Sequence, residues 1–205
     1  KGINYSPIPI GASQDDDNAN RGDVFTSDFA FLHDRDLPAI RATGANSIRL
    51  YDVFPWKYPS AQIPDWTAAA DLDHTAFLDK CWNGGENPIY VWITHHMSTS
   101  VHVATTSAAT SPDGRPFWKL PTGLTAYLDP SWDTADEAAR AFTRNAFISL
   151  AKKYGTHPAV SGFFISNEQN SDLIRGSWQF WQWFDETAQA VKEQAPDKLT
   201  SMSLV

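Results

Sequence analysis

Residues 162–170 read Gly-Phe-Phe-Ile-Ser-Asn-Glu-Gln-Asn, and the interpretation of the whole chain starts from this stretch. Its apolar half predicts a buried strand, and the strand ends in the pair Asn167-Glu168. A carboxyl group beside an apolar strand end is partly desolvated. Desolvation raises the pKa of a carboxyl group and suits it to donate a proton near neutral pH. Residue type alone favours a surface glutamate in a strand-to-helix loop, so the role of Glu168 has to be inferred from the number and order of the strands around it.

Strand patterns alternate with helical patterns on both sides of this stretch. The strands are expected at residues 2–5, 47–53, 89–93, 160–165 and 199–205, with a helical pattern between each pair. This order is typical of an α/β protein with a parallel sheet.

Long connections follow the strands, and short connections follow the helices. The longest, from Ser98 to Trp132, carries serine, threonine and proline signals, and we expect it to be irregular. In a (β/α)8 TIM barrel the carboxyl ends of the strands bear the active site, so long loops belong there. We therefore expect residues 1–205 to form one domain that supplies strands 1 to 5 of such a barrel. An open doubly wound sheet has the same element order, but its glycine-rich fingerprint is missing from the first loop.

The composition limits the partners of the protein. The formal net charge of −8 argues against nucleic acid and anionic membranes, because neither finds a basic patch here. No segment reaches the apolar length of a membrane span. The one cysteine, Cys81, forms no disulfide within the chain, and its apolar helical surroundings predict a buried thiol. The sequence leaves the oligomeric state open.

The positions of three polar residues resemble those in a known group of enzymes. Asn167 and Glu168 follow the fourth strand, and Arg49 lies on the second. In this pattern the chain resembles clan A of the retaining glycoside hydrolases, whose acid/base follows an asparagine at the end of strand four. The resemblance implies that Glu168 is the general acid/base and that Arg49 keeps the nucleophile ionised. A guanidinium suits that role, because a bidentate partner keeps a carboxylate deprotonated.

Within the clan, a narrower similarity concerns the substrate. Residues 1–4, 35–38, 44–51 and 162–164 are similar to the fungal-type β-1,3-glucanosyltransferases. This similarity implies hydrolysis or transfer of a β-linked glucan-type polysaccharide, and we expect an extracellular, cell-surface or cell-wall location. Several disulfides are usual in that family, and the single cysteine here departs from the pattern.

Several other residues are candidates for contact with an oligo- or polysaccharide. Asn167 can hydrogen-bond a sugar hydroxyl, and Tyr51 can line the floor of the cleft. Nine tryptophans are a high count for this length, and such chains often expose some indoles in a binding cleft. Trp56, Trp92 and Trp132 lie at or beyond predicted strand ends, where flat rings could stack on sugar faces.

His95 and His96 follow the third strand and have three possible roles. One is contact with the sugar, as the resemblance implies; the second is structural; the third is a zinc site shared with His102. Metal-dependent barrel hydrolases usually begin with a His-x-His on strand one, and the first strand here contains no histidine. We therefore expect no metal or other cofactor.

Two other functions stay open at this point. A non-catalytic glycan-binding protein could be built on a decayed barrel, in which case a strand-seven glutamate would be lacking. A metal-dependent barrel hydrolase could use His95, His96 and His102, and metal analysis of the purified protein would reveal it.

The retaining mechanism generates a first prediction about the 205 residues on their own. It needs a nucleophile about 5 Å from the acid/base. The resemblance locates that group on strand seven, whereas the sequence ends in the fifth strand pattern, so we expect a part of a longer barrel. Expressed alone, the segment should not cleave aryl glycosides. Turnover that disappears in a Glu168→Gln variant would contradict this expectation.

Overall fold

A computed structural model describes the chain in separate segments. The backbone is described for residues 1–8, 23–51, 53, 72–95, 101–104, 117–119, 125–128, 137–167 and 178–203. Side chains are described for the same residues except 101–104, 117–119, 125–128, 137–143, 166–167 and 178–180. All five strand patterns read from the sequence fall, at least in part, within these segments.

The described segments contain eight strands and four α-helices. The strands are β1 (Gly2–Tyr5), β2 (Ser47–Leu50), β3 (Tyr90–Thr94), β4 (Val101–Ala104), β5 (Phe117–Lys119), β6 (Thr125–Leu128), β7 (Val160–Asn167) and β8 (Leu199–Ser203). The α-helices are α1 (Ala30–Ala42), α2 (Thr75–Trp82), α3 (Glu137–Tyr154) and α4 (Trp178–Gln194). Short 3₁₀ helices precede α1 and follow α2, over Ser27–Phe29 and Asn83–Gly85.

The main sheet has five parallel strands in the order β1-β2-β3-β7-β8. A helix precedes each strand after the first, and the strand order follows the chain without reversal. A doubly wound sheet instead reverses its order at a switch point. Sequential parallel pairing is the arrangement of a (β/α)8 barrel. The α/β expectation is confirmed, and the doubly wound alternative does not describe these five strands.

A second, smaller sheet lies between β3 and α3 in the chain. Its three strands are antiparallel and ordered β4-β6-β5. The expectation that residues 98–132 are irregular is therefore wrong for these strands. Each is only three or four residues long, so a period of two cannot stand out among the turn-forming residues around it.

The helices cover one face of the main sheet and bury a single hydrophobic cluster against it. From the sheet, the cluster includes Tyr5, Ile48, Leu50, Val91, Ile93, Phe163 and Ile165. From the helices, it includes Leu37, Ile40, Phe77, Leu78, Phe147, Leu150, Trp183 and Val191. Full burial of one such aliphatic or phenyl side chain stabilises the fold by about 1.5–3 kcal/mol. This cluster therefore fixes which side chains of each strand face the helices.

The end of α1 shows how local sequence positions the next strand. Gly44 has a φ of 74°, a left-handed conformation that favours glycine at a helix end, as the sequence predicts. Its amide donates to the carbonyl oxygen of Arg41 over 2.9 Å. The Arg41 guanidinium in turn donates to the carbonyl oxygens of Lys80 and Cys81. The turn before β2 is thereby attached to the end of α2.

Cys81 is fully buried within the hydrophobic cluster. Burial raises the pKa of its thiol far above the ordinary range. The thiol therefore stays protonated, and a protonated thiol is a poor nucleophile. The prediction of a buried structural cysteine is confirmed.

The described helices also bear on membrane association. Within the described segments, no helix has both the length and the apolar character needed to cross a bilayer.

A buried polar network joins three distant parts of the sequence. The Nε2 atom of His74 lies 2.6 Å from Oδ2 of Asp23, and its Nδ1 atom lies 3.0 Å from the hydroxyl of Tyr154. That hydroxyl also accepts a hydrogen bond from the His74 backbone N–H over 2.9 Å. None of the three residues is more than 4% exposed. The network fixes residue 23 to the beginning of α2 and to the end of α3.

This network generates a prediction about stability. His74→Ala leaves the Asp23 carboxyl group buried without its imidazole partner, and losing one member of a buried pair costs about 3–5 kcal/mol. Tyr154→Phe removes the hydroxyl and leaves its buried polar partners without it, which should lower the free energy of unfolding by about 1–3 kcal/mol. Urea denaturation followed by tryptophan fluorescence measures both losses.

The matched control is Asp34→Ala, which breaks an exposed pair with Lys80. Exposed ion pairs contribute about 0–1 kcal/mol to stability, so the urea midpoint of this variant should lie close to that of the parent. A loss as large as that of His74→Ala would contradict the importance given to the buried network.

Candidate functional site

The face of the main sheet opposite the helices carries a group of large, partly buried side chains. Side chains alternate between the two faces along a strand, so Arg49, Trp92 and Phe164, each next to a buried core residue, lie on this face. Arg49 and Trp92 are direct partners in the β2–β3 ladder. In a barrel such a face points inward. We define the inner cluster as Arg49, Tyr51, Trp92 and Phe164.

The guanidinium of Arg49 contacts two aromatic rings. Its central carbon, Cζ, lies 5.4 Å from the ring centroid of Tyr51 and 4.9 Å from that of Phe164. Both distances are within the cation–π range of about 6 Å. Tyr51 follows Arg49 by two residues, but Phe164 belongs to β7, and β3 lies between the two strands. The Arg49 side chain therefore extends across the inner face.

The indole of Trp92 completes the inner cluster by an edge-to-face contact with Phe164, at 5.1 Å between ring centroids. Its partner in the ladder is Gly162. A Cβ atom on Gly162 would lie 2.8 Å from Cζ3 of Trp92 and 2.3 Å from the carbonyl oxygen of Leu199. A glycine in a strand often marks such a close approach. Here it makes room for both the indole and β8.

Strand β7 is irregular on both sides. Ser161 is an extra residue in its pairing with β3, and Ile165 is an extra residue in its pairing with β8. Irregularities of this kind bend a strand and are common at barrel rims and next to active sites. The second one comes shortly before Asn167, the last residue of the strand, which Glu168 follows.

The predicted acid/base itself lies outside the described residues. So do His96, Trp56 and Trp132. Asn167 is described by its backbone alone. β7 ends at Asn167, the first residue of the Asn-Glu pair. The roles of these residues stay predictions.

His95 lies apart from the inner cluster. It is 3% exposed, its Nδ1 atom is 3.2 Å from the carbonyl oxygen of Val53, and its ring meets Phe147 of α3 edge-to-face at 5.8 Å. These contacts belong to a side chain packed between a loop and the helix layer. Contact of His95 with a sugar stays a prediction.

Thr94 is a buried polar residue at the end of β3. It is fully buried, and alternation along the strand assigns it to the same face as Trp92. Within the described segments its hydroxyl has no hydrogen-bond partner. Buried hydroxyls usually bond to protein or ordered water, so this group is a candidate to hold a water molecule or a ligand at the strand end.

The zinc alternative has no support in the described segments. Among their side chains, no three His, Cys, Asp or Glu groups converge as metal ligands would. His96 and the side chain of His102 lie outside the described residues, so the proposed set with His95 stays untested.

Sequence reasoning misses Phe164 and Gly162 as parts of this site. In a strand that is apolar on both faces, hydrophobicity alone cannot assign a side chain to one face. The available signal is spacing: the two residues are two apart and so share a face. A glycine within a buried strand would then have indicated a close neighbour.

Two solved enzyme structures resemble this arrangement. The chain matches the β-mannanase of the blue mussel Mytilus edulis with a TM-score of 0.55 and 14% identity, over 89% of this chain and 55% of that chain. It matches the endo-1,4-β-mannanase of Eisenia fetida with a TM-score of 0.54 and 16% identity, over 89% of this chain and 54% of that chain. The chain has the fold of part of a barrel glycosidase.

The comparison reaches no further than the fold. The chain spans about half the length of each mannanase. At 14% and 16% identity, the match assigns the substrate of neither enzyme to this chain. The sequence matches no protein-family model and, by sequence comparison, no curated protein.

The packing at Gly162 generates a prediction. Gly162→Ala places a methyl group against Trp92 and the β8 backbone, and overpacking of this kind costs about 1–3 kcal/mol. The tryptophan emission should also change, because the indole has to move. Urea denaturation and fluorescence spectra measure the two effects.

Gly2→Ala is the matched control, because Gly2 also lies in a strand. Its added Cβ would meet nothing closer than 3.7 Å, an ordinary contact with Ser47. Equal destabilisation of the two variants would show that loss of glycine, rather than the close approach, is responsible.

Proposed function

We propose that this chain is part of a retaining glycoside hydrolase or transglycosidase that acts on a β-linked, glucan-type polysaccharide. The observation that carries the proposal is the fourth strand of a sequential parallel sheet, β7, which runs to Asn167 immediately before Glu168. In barrel enzymes the carboxyl ends of the strands form the active site. Glu168 is the general acid/base of the proposed reaction.

The geometry around Arg49 supports the same function. It lies on the second strand and contacts Phe164 of β7, the strand that ends immediately before the proposed acid/base in the sequence. A guanidinium in this place can hold the attacking carboxylate ionised through paired N–H···O bonds. That carboxylate is assigned to a seventh strand of the complete barrel, in keeping with the clan that the sequence resembles.

The proposed reaction has two steps. Glu168 donates its proton to the glycosidic oxygen while the nucleophile attacks the anomeric carbon, which gives a covalent glycosyl-enzyme. Glu168 then takes a proton from water or from an acceptor sugar as that oxygen attacks, and the nucleophile is released. Water gives hydrolysis, and a sugar hydroxyl gives transfer.

Substrate binding is proposed for the surrounding aromatic and polar residues. Trp92 and Tyr51 belong to the inner cluster and present ring surface on the face that a barrel turns toward its substrate. Sugar contacts are also proposed for a set of residues outside that cluster: Asn167, His95, His96, Trp56 and Trp132. The proposed location is extracellular or at the cell surface or wall.

Aryl β-glycosides with different leaving groups test the proposal in the protein that carries this chain. Loss of a general acid lowers the rate by about 10²–10⁴-fold. Glu168→Gln should show this loss with phenyl glycosides, whose leaving group needs a proton. A dinitrophenyl leaving group departs without one, so its release in the first step should be much less affected.

Glu86→Gln is the matched control, because Glu86 is an exposed carboxylate and its loss should leave the rate unchanged. An inactive parent protein with every β-glucoside tested, or a Glu168→Gln variant that keeps full activity with phenyl glycosides, would refute the proposed function.

A further inference from the structure

We propose that Phe164 is a positioning residue that holds the guanidinium of Arg49 in its working orientation. The inference rests on the proposed function and deepens it, because it assigns a role to a residue with no reacting atom. Phe164 lies on β7, and Glu168 follows it by four residues in the sequence. The element that ends at the proposed acid/base therefore also orients the proposed partner of the nucleophile.

Arg49 and Phe164 lie on strands that are not neighbours in the sheet. Arg49 belongs to β2, and Phe164 belongs to β7 beyond β3. Neighbouring strands are about 4.8 Å apart, so the side chains of Arg49 and Phe164 together cover about two strand spacings to make this contact. A long, flexible arginine side chain has many alternative rotamers, and ordering it costs conformational entropy. A contact with a residue of β7 can offset this loss of conformational entropy.

Phe164 is the closer of the two rings, at 4.9 Å from Cζ of Arg49, against 5.4 Å for Tyr51. Tyr51 belongs to the same stretch of chain as Arg49 and cannot by itself draw the side chain across β3. Phe164 can, because it contacts the guanidinium from the far side of β3.

Stacking and carboxylate binding do not compete. A guanidinium stacks on an aromatic ring through its flat face, whereas its N–H donors point outward in its plane. Paired hydrogen bonds to a carboxylate use that edge. In the arrangement that we propose, the Phe164 ring contacts the flat face of the guanidinium, so it fixes the direction of the edge and leaves the carboxylate geometry intact.

Phe164 is itself held in place. The indole of Trp92 meets it edge-to-face at an interplanar angle of 65°. Trp92 can adopt this position because Gly162 presents no side chain beneath it. Gly162 therefore leaves room for Trp92, and Trp92 packs against Phe164. Phe164 in turn contacts the guanidinium of Arg49.

Phe164→Leu tests the inference in the protein that carries this chain, because it keeps an apolar side chain and removes the ring. A cation–π contact is worth about 0.5–2 kcal/mol, so kcat should fall by about 2- to 30-fold while KM changes little. The acid limb of the kcat profile should move to higher pH, since a poorly oriented guanidinium lowers the pKa of the nucleophile less. Phe164→Tyr keeps the ring and should restore both properties.

Phe163→Leu is the control for a merely structural effect. Phe163 is the neighbouring residue, fully buried on the helix-covered face, so its loss should lower stability without moving the pH profile. Equal shifts in the Phe163 and Phe164 variants would overturn the inference.

A measurement without substrate keeps the inference testable if a variant turns over slowly. The Nε–Hε signal of Arg49 in a ¹H–¹⁵N spectrum should carry an upfield ring-current shift that Phe164→Leu reduces and Phe164→Tyr preserves. An unshifted signal in the parent protein would overturn the stacked geometry. An active parent with an unchanged kcat and pH profile in Phe164→Leu overturns this inference alone, whereas an inactive parent removes the proposed function beneath it.

Discussion

The alternation of side chains between the two faces of the parallel sheet is the constraint on which the rest of the structure depends. A shift of pairing by one residue would exchange the faces of an entire strand. β7 contains two extra residues, Ser161 and Ile165, relative to its neighbours. Even so, Phe163 still faces the helices and Phe164 still faces away from them. The irregularities are absorbed locally, so the buried cluster keeps every strand in its orientation.

The same alternation separates the buried core from the inner cluster on β2, β3 and β7. The helix-covered side chains are apolar and fully enclosed, and they supply the stabilisation that helices and sheet share. The opposite face holds a cation among aromatic rings, at intermediate exposure. A charged group in such a place is tolerable because the rings offer it a negative face. On β2, β3 and β7, a residue of the inner cluster and a residue of the buried core are thus adjacent in the sequence.

Much of this architecture could be predicted from the sequence, and the exceptions have physical causes. Strand positions followed from short apolar runs, and the end of α1 followed from Gly44, because these signals are local. The small sheet was missed because strands of three or four residues are too short to show a period of two. The sequence left a structural role for His95 open among three alternatives, since only tertiary packing brings Phe147 to its ring. Phe164 escaped notice because an all-apolar strand does not reveal its faces.

The network of Asp23, His74 and Tyr154 has a consequence for the kinetics of folding. Its members are separated by 51 and 80 residues along the chain, so no early local structure can bring them together. The complete network exists only when the segment around Asp23, the beginning of α2 and the end of α3 are packed together. Because the backbone amide of His74 is bonded to Tyr154, its exchange with solvent deuterium requires the beginning of α2 to separate from the end of α3 and so reports on the packing between the two helices.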